Sequence, residues 1–109
     1  MQTNFNMLRY NPILLFKINN YKKKIIDSLT YIEGTSYGVG KISLTKDELF
    51  EKLIELNLSN SRIFDTALNQ LIKDRLIRKT DSCSYLTTEE TTEFLTLNKS
   101  FIVHLIFNI

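Results

Sequence analysis

Residues 45–88 read TKDELFEKLIELNLSNSRIFDTALNQLIKDRLIRKTDSCSYLTT, and their patterning decides the fold. Thr45 and Glu48 have the spacing of a capping box, in which each side chain accepts a hydrogen bond from the other residue's backbone N–H. Behind them Leu49, Phe50, Leu53, Ile54 and Leu56 make an apolar face, opposite a charged face of Lys46, Asp47, Glu51, Lys52 and Glu55. Asn57-Leu58-Ser59-Asn60-Ser61 breaks the pattern as a turn, with Leu58 as a core plug and Ser59 or Ser61 as the cap of the next helix. That second helix is expected over 61–73, with Ile63, Phe64, Ala67, Leu68, Leu71 and Ile72 on its inner side. Two strand-like runs come next, Arg75 to Thr80 and Cys83 to Thr87, separated by a short turn. The order is helix, turn, helix, two-stranded hairpin, and Ile42 to Leu44 can add a third short strand at the hairpin's edge.

Upstream, Asn11-Pro12 is a turn or a helix start, with asparagine as cap and proline at the first helical position. Ile13 to Ile18 fits a buried strand or the first turns of a helix, and periodicity alone does not separate the two. Helix is the favoured reading, because Tyr21, Ile25, Ile26, Leu29 and Ile32 continue an apolar stripe, although Asn19-Asn20 can split the segment. All three glycines fall in Gly34 to Gly40, read as a connecting loop. A phosphate cradle there fails for want of a Gly-Lys-Ser/Thr ending. Downstream, a last helix is expected to start at Thr87 or Thr88, with a Thr87–Glu90 capping box and Phe94, Leu95 and Leu97 as its apolar positions. Phe101 to Ile109 then adds a strongly apolar run.

The chain of 109 residues fits one domain with its own core, about residues 20–97, and terminal segments 1–19 and 98–109 for packing or oligomerisation. Its 43% hydrophobic and 24% charged content is ordinary for a soluble globular protein, and its net charge alone is poor evidence for nucleic acid. The distribution of charge says more than the net +2. Residues 1–32 carry five basic side chains against Asp27, and residues 59–86 carry five against Asp65, Asp74 and Asp81.

Several chemistries are poorly supported. One cysteine, Cys83, makes no disulfide framework, and with one histidine it makes no zinc site. His104 sits in an apolar run, where a buried structural histidine or an interface residue outweighs a general base. Glu89 and Glu90 are adjacent and so diverge on a helix, which leaves no paired-carboxylate site. The expectation is therefore not an enzyme and no cofactor. No secretory signal or membrane span is read, since Ile13 to Phe16 and Phe101 to Ile109 are too short, and the expected location is the cytoplasm.

The outer side of helix 61–73 carries the functional reading. Arg suits guanine, Asn and Gln suit adenine, and Ser and Thr serve either base. Arg62, Thr66, Asn69, Gln70 and Lys73 supply that set on one side, and Ser59, Asn60 and Ser61 lie at the helix start, where an anion is favoured. Arg78 and Lys79 on the hairpin add backbone contacts. Asp65 is dissonant, being either an orienter of Arg62 or an acceptor from a cytosine amino group.

Leu71-Ile72-Lys73-Asp74-Arg75-Leu76-Ile77-Arg78-Lys79, together with Tyr85-Leu86-Thr87-Thr88-Glu89, resembles a pattern of small prokaryotic and archaeal winged helix-turn-helix transcription factors, the broad MarR-like and PadR-like groups. In that pattern a helix runs into Gly-Leu-Ile, a strand and Tyr-x-Leu-Thr-x-x-Gly. Here Arg75 and Glu90 stand where glycines are usual. The resemblance covers about residues 42–97. It implies an α+β, mostly helical winged helix-turn-helix with a two- to three-stranded wing sheet, usually dimeric through terminal helices. The resulting expectation is a cytoplasmic, homodimeric regulator of transcription that binds double-stranded DNA. The alternative is a winged-helix protein-interaction module or a viral or plasmid-encoded inhibitor.

Overall fold

The computed structural model describes residues 11–32 and 39–91. Over them the protein is α+β and mostly helical, with one three-stranded antiparallel sheet and one two-stranded ribbon. Helix α1 spans Pro12–Ser28. Asn11 caps it, its Oδ1 accepting from Leu14 N–H at 3.0 Å, and Pro12 fills the first helical position, where no N–H is needed. The helix runs unbroken through Asn19-Asn20 and crosses the expected core boundary at residue 20. Its buried stripe is Ile18, Tyr21, Lys22, Ile25 and Ile26, at the i, i+3, i+4, i+7, i+8 spacing of one helical face. Lys22 belongs to that stripe because its long aliphatic stem packs like an apolar side chain.

The helix ends at Ser28, so Leu29 caps it and Ile32 falls in a strand rather than on the expected helical stripe. Thr30 Oγ1 donates to the Ile26 carbonyl at 3.0 Å and turns the chain out of the helix. Strand β1, Thr30–Ile32, pairs antiparallel with β2, Val39–Lys41, in the register Thr30↔Lys41, Tyr31↔Gly40, Ile32↔Val39. Residues 39–41 were expected to lie in or beside a loop. They are sheet instead, because Val39 and Gly40 complete a backbone ladder that Tyr31 and Ile32 begin. Gly34 and Gly38 lie outside the described residues.

Strand β3, Leu44–Thr45, lies one or two residues downstream of the expected position and leads into α2, Lys46–Glu55. The capping box is formed: Glu48 N–H donates to Thr45 Oγ1 at 3.2 Å, and Thr45 N–H donates to Glu48 Oε1 at 2.9 Å. Only Leu49 and Leu53 of the expected apolar face are fully buried, and the Phe50 ring packs at 4.8 Å from that of Phe64. Ile54 and Leu56 are 45% and 50% exposed, against expectation. The short helix buries a narrow stripe set by Leu49 and Leu53, and Ile54 and Leu56 fall to its side.

Asn57, at φ 64°, then reverses the chain. Leu58 N–H donates to the Leu53 carbonyl and Asn57 N–H to that of Ile54, both at 2.9 Å. This Schellman pattern satisfies the last carbonyls and drops Leu58 against the core, as the sequence suggests.

Helix α3, Ser61–Lys73, has the expected bounds, but its cap is Asn60 and neither serine. Asn60 holds the extended backbone just before the first helical residue, and its Oδ1 accepts from Ile63 N–H at 3.1 Å. Ser61 is already helical and Ser59 stands one residue too early. Ile63, Phe64, Ala67, Leu68 and Leu71 are buried, while Ile72 is half-buried at the edge. Strand β4, Ile77–Lys79, and strand β5, Ser84–Thr87, form the hairpin inside the expected ranges. β5 is central, pairing with β4 (Ile77↔Thr87, Arg78↔Leu86, Lys79↔Tyr85) and with β3 (Leu44↔Tyr85, Thr45↔Ser84).

Residues 89–91 are helical, and their cap is Thr88. Thr88 Oγ1 accepts from Thr91 N–H at 3.4 Å and donates to the Arg75 carbonyl at 2.9 Å. The expected Thr87–Glu90 box gives way to this arrangement because Thr87 is a fully buried member of β5, opposite Ile77. Phe94, Leu95, Leu97, His104 and the run from Phe101 to Ile109 lie outside the described residues. Among the described residues no helix is long and apolar enough to cross a membrane.

Candidate nucleic-acid interface

The amphipathic pattern of α3 creates the site. Because its inner face is fixed by Ile63, Phe64, Ala67, Leu68 and Leu71, residues 62, 66, 69, 70 and 73 must turn outward. Arg62, Asn69 and Lys73 are exposed, and Thr66 and Gln70 are half-buried. The five polar side chains singled out in the sequence therefore share one face. The Thr66 hydroxyl donates to the Arg62 carbonyl at 2.9 Å and keeps its lone pairs for an incoming donor.

The start of α3 is held from two directions. Asn60 Oδ1 is committed to the cap, and its backbone N–H donates at 2.9 Å to the hydroxyl of Tyr21 on α1. Asn60 is thus chiefly a structural residue, although its side-chain amide N–H groups stay available. Ser59 and Ser61 flank it and are exposed.

Asp65 pairs with a lysine of the neighbouring helix and not with Arg62. Its carboxylate pairs with Lys46 of α2 at 2.9 Å, which fastens the two helices and compensates the acid's charge. The hydrogen bond to Asp65 holds the Lys46 ammonium above its ordinary pKa. At the other end of α3, burial pushes the Lys22 ammonium below its ordinary range, with partial compensation from Asp74.

The hairpin brings Arg78 and Lys79 to the surface of β4, where its burial pattern leaves only Ile77 inside. The Lys79 ammonium lies 6.0 Å from the centroid of Tyr85, its cross-strand partner. Thr80 N–H donates to the Ser84 carbonyl at 2.7 Å, and Ser84 N–H donates to Thr80 Oγ1 at 3.1 Å. Those bonds close a short loop with Asp81, Ser82 and Cys83 at its exposed tip.

Two side chains absent from the sequence-derived set join this surface. Lys17 of α1 lines an open groove of about 460 Å³ with Arg62 and Thr66. Arg75 lines another of about 530 Å³ with Arg78, Lys79, Glu89 and Glu90. The first has no local sequence signal, because Lys17 and Arg62 line one groove only when α1 packs against α3. Glu89 is held below its ordinary pKa first by a hydrogen bond from Lys41, at 2.6 Å, and by the charges of Lys41 and Arg78.

The arrangement offers cations, amides and a hydroxyl on a convex helix. Such a face can bind an anionic, hydrogen-bonding surface by shape and charge. Among the described residues no group of histidine, cysteine and carboxylate side chains could hold a metal ion. No family model, curated protein or solved structure matches the chain.

Proposed function

We propose that this protein is a DNA-binding transcriptional regulator of the winged helix-turn-helix type. In this reading α3 enters the major groove and the β4–β5 hairpin rests on the flanking backbone. One face of α3 carries the reading: Arg62, Thr66, Asn69, Gln70 and Lys73 stand together, with exposed Arg78 and Lys79 just beyond the helix end. The run β3-α2-α3-β4-β5, preceded by α1 and the β1–β2 ribbon, with sheet order β3-β5-β4, supports it. The ion pair from Lys46 to Asp65 offsets part of the acid's charge on this surface.

Self-association belongs to the same reading. Phe16 of α1 is 68% exposed, and an apolar side chain so placed suits a two-fold contact.

The test is a mobility-shift and titration series on the full chain with a selected duplex and unrelated ones. Arg62→Ala and Gln70→Ala should each cost about 1–3 kcal/mol on the selected site alone. Lys79→Ala should weaken all duplexes alike and flatten the salt slope by about one. Absence of duplex binding at low salt, or equal effects of all three substitutions on every sequence, would replace this reading with a protein-interaction module.

A further inference from the structure

The groove between α1 and α3 extends the surface beyond the helix that reads bases. Its wall on α1 is Asn11, Ile13, Leu14, Lys17 and Ile18, and its wall on α3 is Asn60, Arg62, Ile63 and Thr66. Two cations, two amides and a hydroxyl line it, and none of its lining residues is acidic. Lys17 is exposed and on α1, so it lies off the helix that carries the base-reading set. By contrast, Lys24 of the same helix lines a groove that also holds Asp27 and Glu55.

We infer that the α1–α3 groove seats a sugar–phosphate strand of duplex DNA, with Lys17 as a backbone contact. This rests on the major-groove reading of α3. Charge complementarity and continuity select that occupant: Arg62 and Thr66 belong both to the groove and to the outer face of α3. The apolar floor of Leu14, Ile18 and Ile63 suits the carbon face of sugars, and Lys17 and Arg62 suit the phosphates. Lys17 lines the groove at the start of α3, and Arg78 with Lys79 lie on β4, which follows the end of α3. The consequence is a clamp of two sides, where the hairpin alone would give one.

The experiment measures binding of the full chain to two short duplexes of unrelated sequence, one A·T-rich and one G·C-rich, across a salt series. Lys17→Ala should lower the slope of log K against log salt by about one on both duplexes, as loss of a single phosphate contact requires. Lys17→Arg should restore the slope, and Lys24→Ala should leave it at the wild-type value. Thermal midpoints, expected to be unchanged for exposed Lys17 and little changed for half-buried Lys24, verify that the variants fold. A wild-type slope for Lys17→Ala while Arg62→Ala weakens binding overturns the clamp and leaves the α3 reading standing. An equal fall for Lys24→Ala also overturns the clamp, since any charge would then serve. Failure of the wild-type chain to bind either duplex overturns both.

Discussion

Arg75 sits at φ 62° just after the cap of α3, where its N–H donates to the Ile72 carbonyl and the Leu76 N–H donates to that of Leu71. This is the left-handed closing position of a Schellman motif, and it is where the resembling sequence pattern has glycine. A side chain there costs about 1–2 kcal/mol, of which glycine would return about 0.5–1 kcal/mol to the unfolded chain's freedom. Arg75→Gly should therefore raise stability by about 0.5–1 kcal/mol in chemical denaturation. Cys83, at φ 62° in the hairpin loop, should respond alike, because a three-residue hairpin loop also ends in a left-handed residue. Asn57→Gly should change little, asparagine being tolerant of that conformation. A loss of stability in Arg75→Gly would mean that the arginine side chain contributes more than its backbone costs. Lys22 offers a second test. Burial lowers its pKa from the usual 10.5, so the folded chain releases the proton before the unfolded chain does. Stability is penalised while Lys22 is charged in the fold. It should rise as pH climbs through the lowered value and level off above 10.5. Lys22→Met, which keeps the stem, should raise the melting temperature near neutrality and remove that alkaline rise.

At the scale of the element, α3 depends on how its first turn is fastened. Tyr21→Phe deletes the acceptor for Asn60 N–H and should cost about 1 kcal/mol. Asn60→Ala deletes the cap and should cost about the same. Denaturant midpoints measure both, and unaltered midpoints would mean that water replaces these bonds without loss. The helices were legible in the sequence because their signals are local: a Thr-x-x-Glu box, a proline after an asparagine, and apolar side chains repeating with the helical period. The hairpin was legible for the same reason. The β1–β2 ribbon was not, since Thr30–Ile32 continues the apolar stripe of α1 and Val39–Lys41 reads as part of a glycine-rich connector. Only their pairing makes them strands. The choice of Asn60 over its neighbouring serines depends on which residue holds the last extended backbone, a matter of one position that spacing does not resolve. At the site, the outer face of α3 is dictated by periodicity alone. The Asp65–Lys46 pair and the groove shared by Lys17 and Arg62 depend on how helices cross, and nothing within either helix encodes it.

For the whole molecule, the exposed Phe16 bears on assembly. Light scattering at micromolar concentration should give the mass of a dimer for the proposed regulator, and Phe16→Glu should lower it towards that of a monomer. A monomeric wild-type mass would remove the two-fold contact from the proposal. The central place of β5 has a different consequence, for the making of the chain. Leu44 of β3 must wait for Tyr85, which closes a loop of about 40 residues before a single rung is gained. β4 likewise has no sheet partner until Ser84–Thr87 is made. A ribosome that stops anywhere between Lys79 and Ser84 would thus release a product with α1, α2 and α3 complete and strands β3 and β4 bare along their edges. Unpaired strand edges recruit other chains. Early termination within those few codons would therefore yield aggregates in place of a shortened working domain.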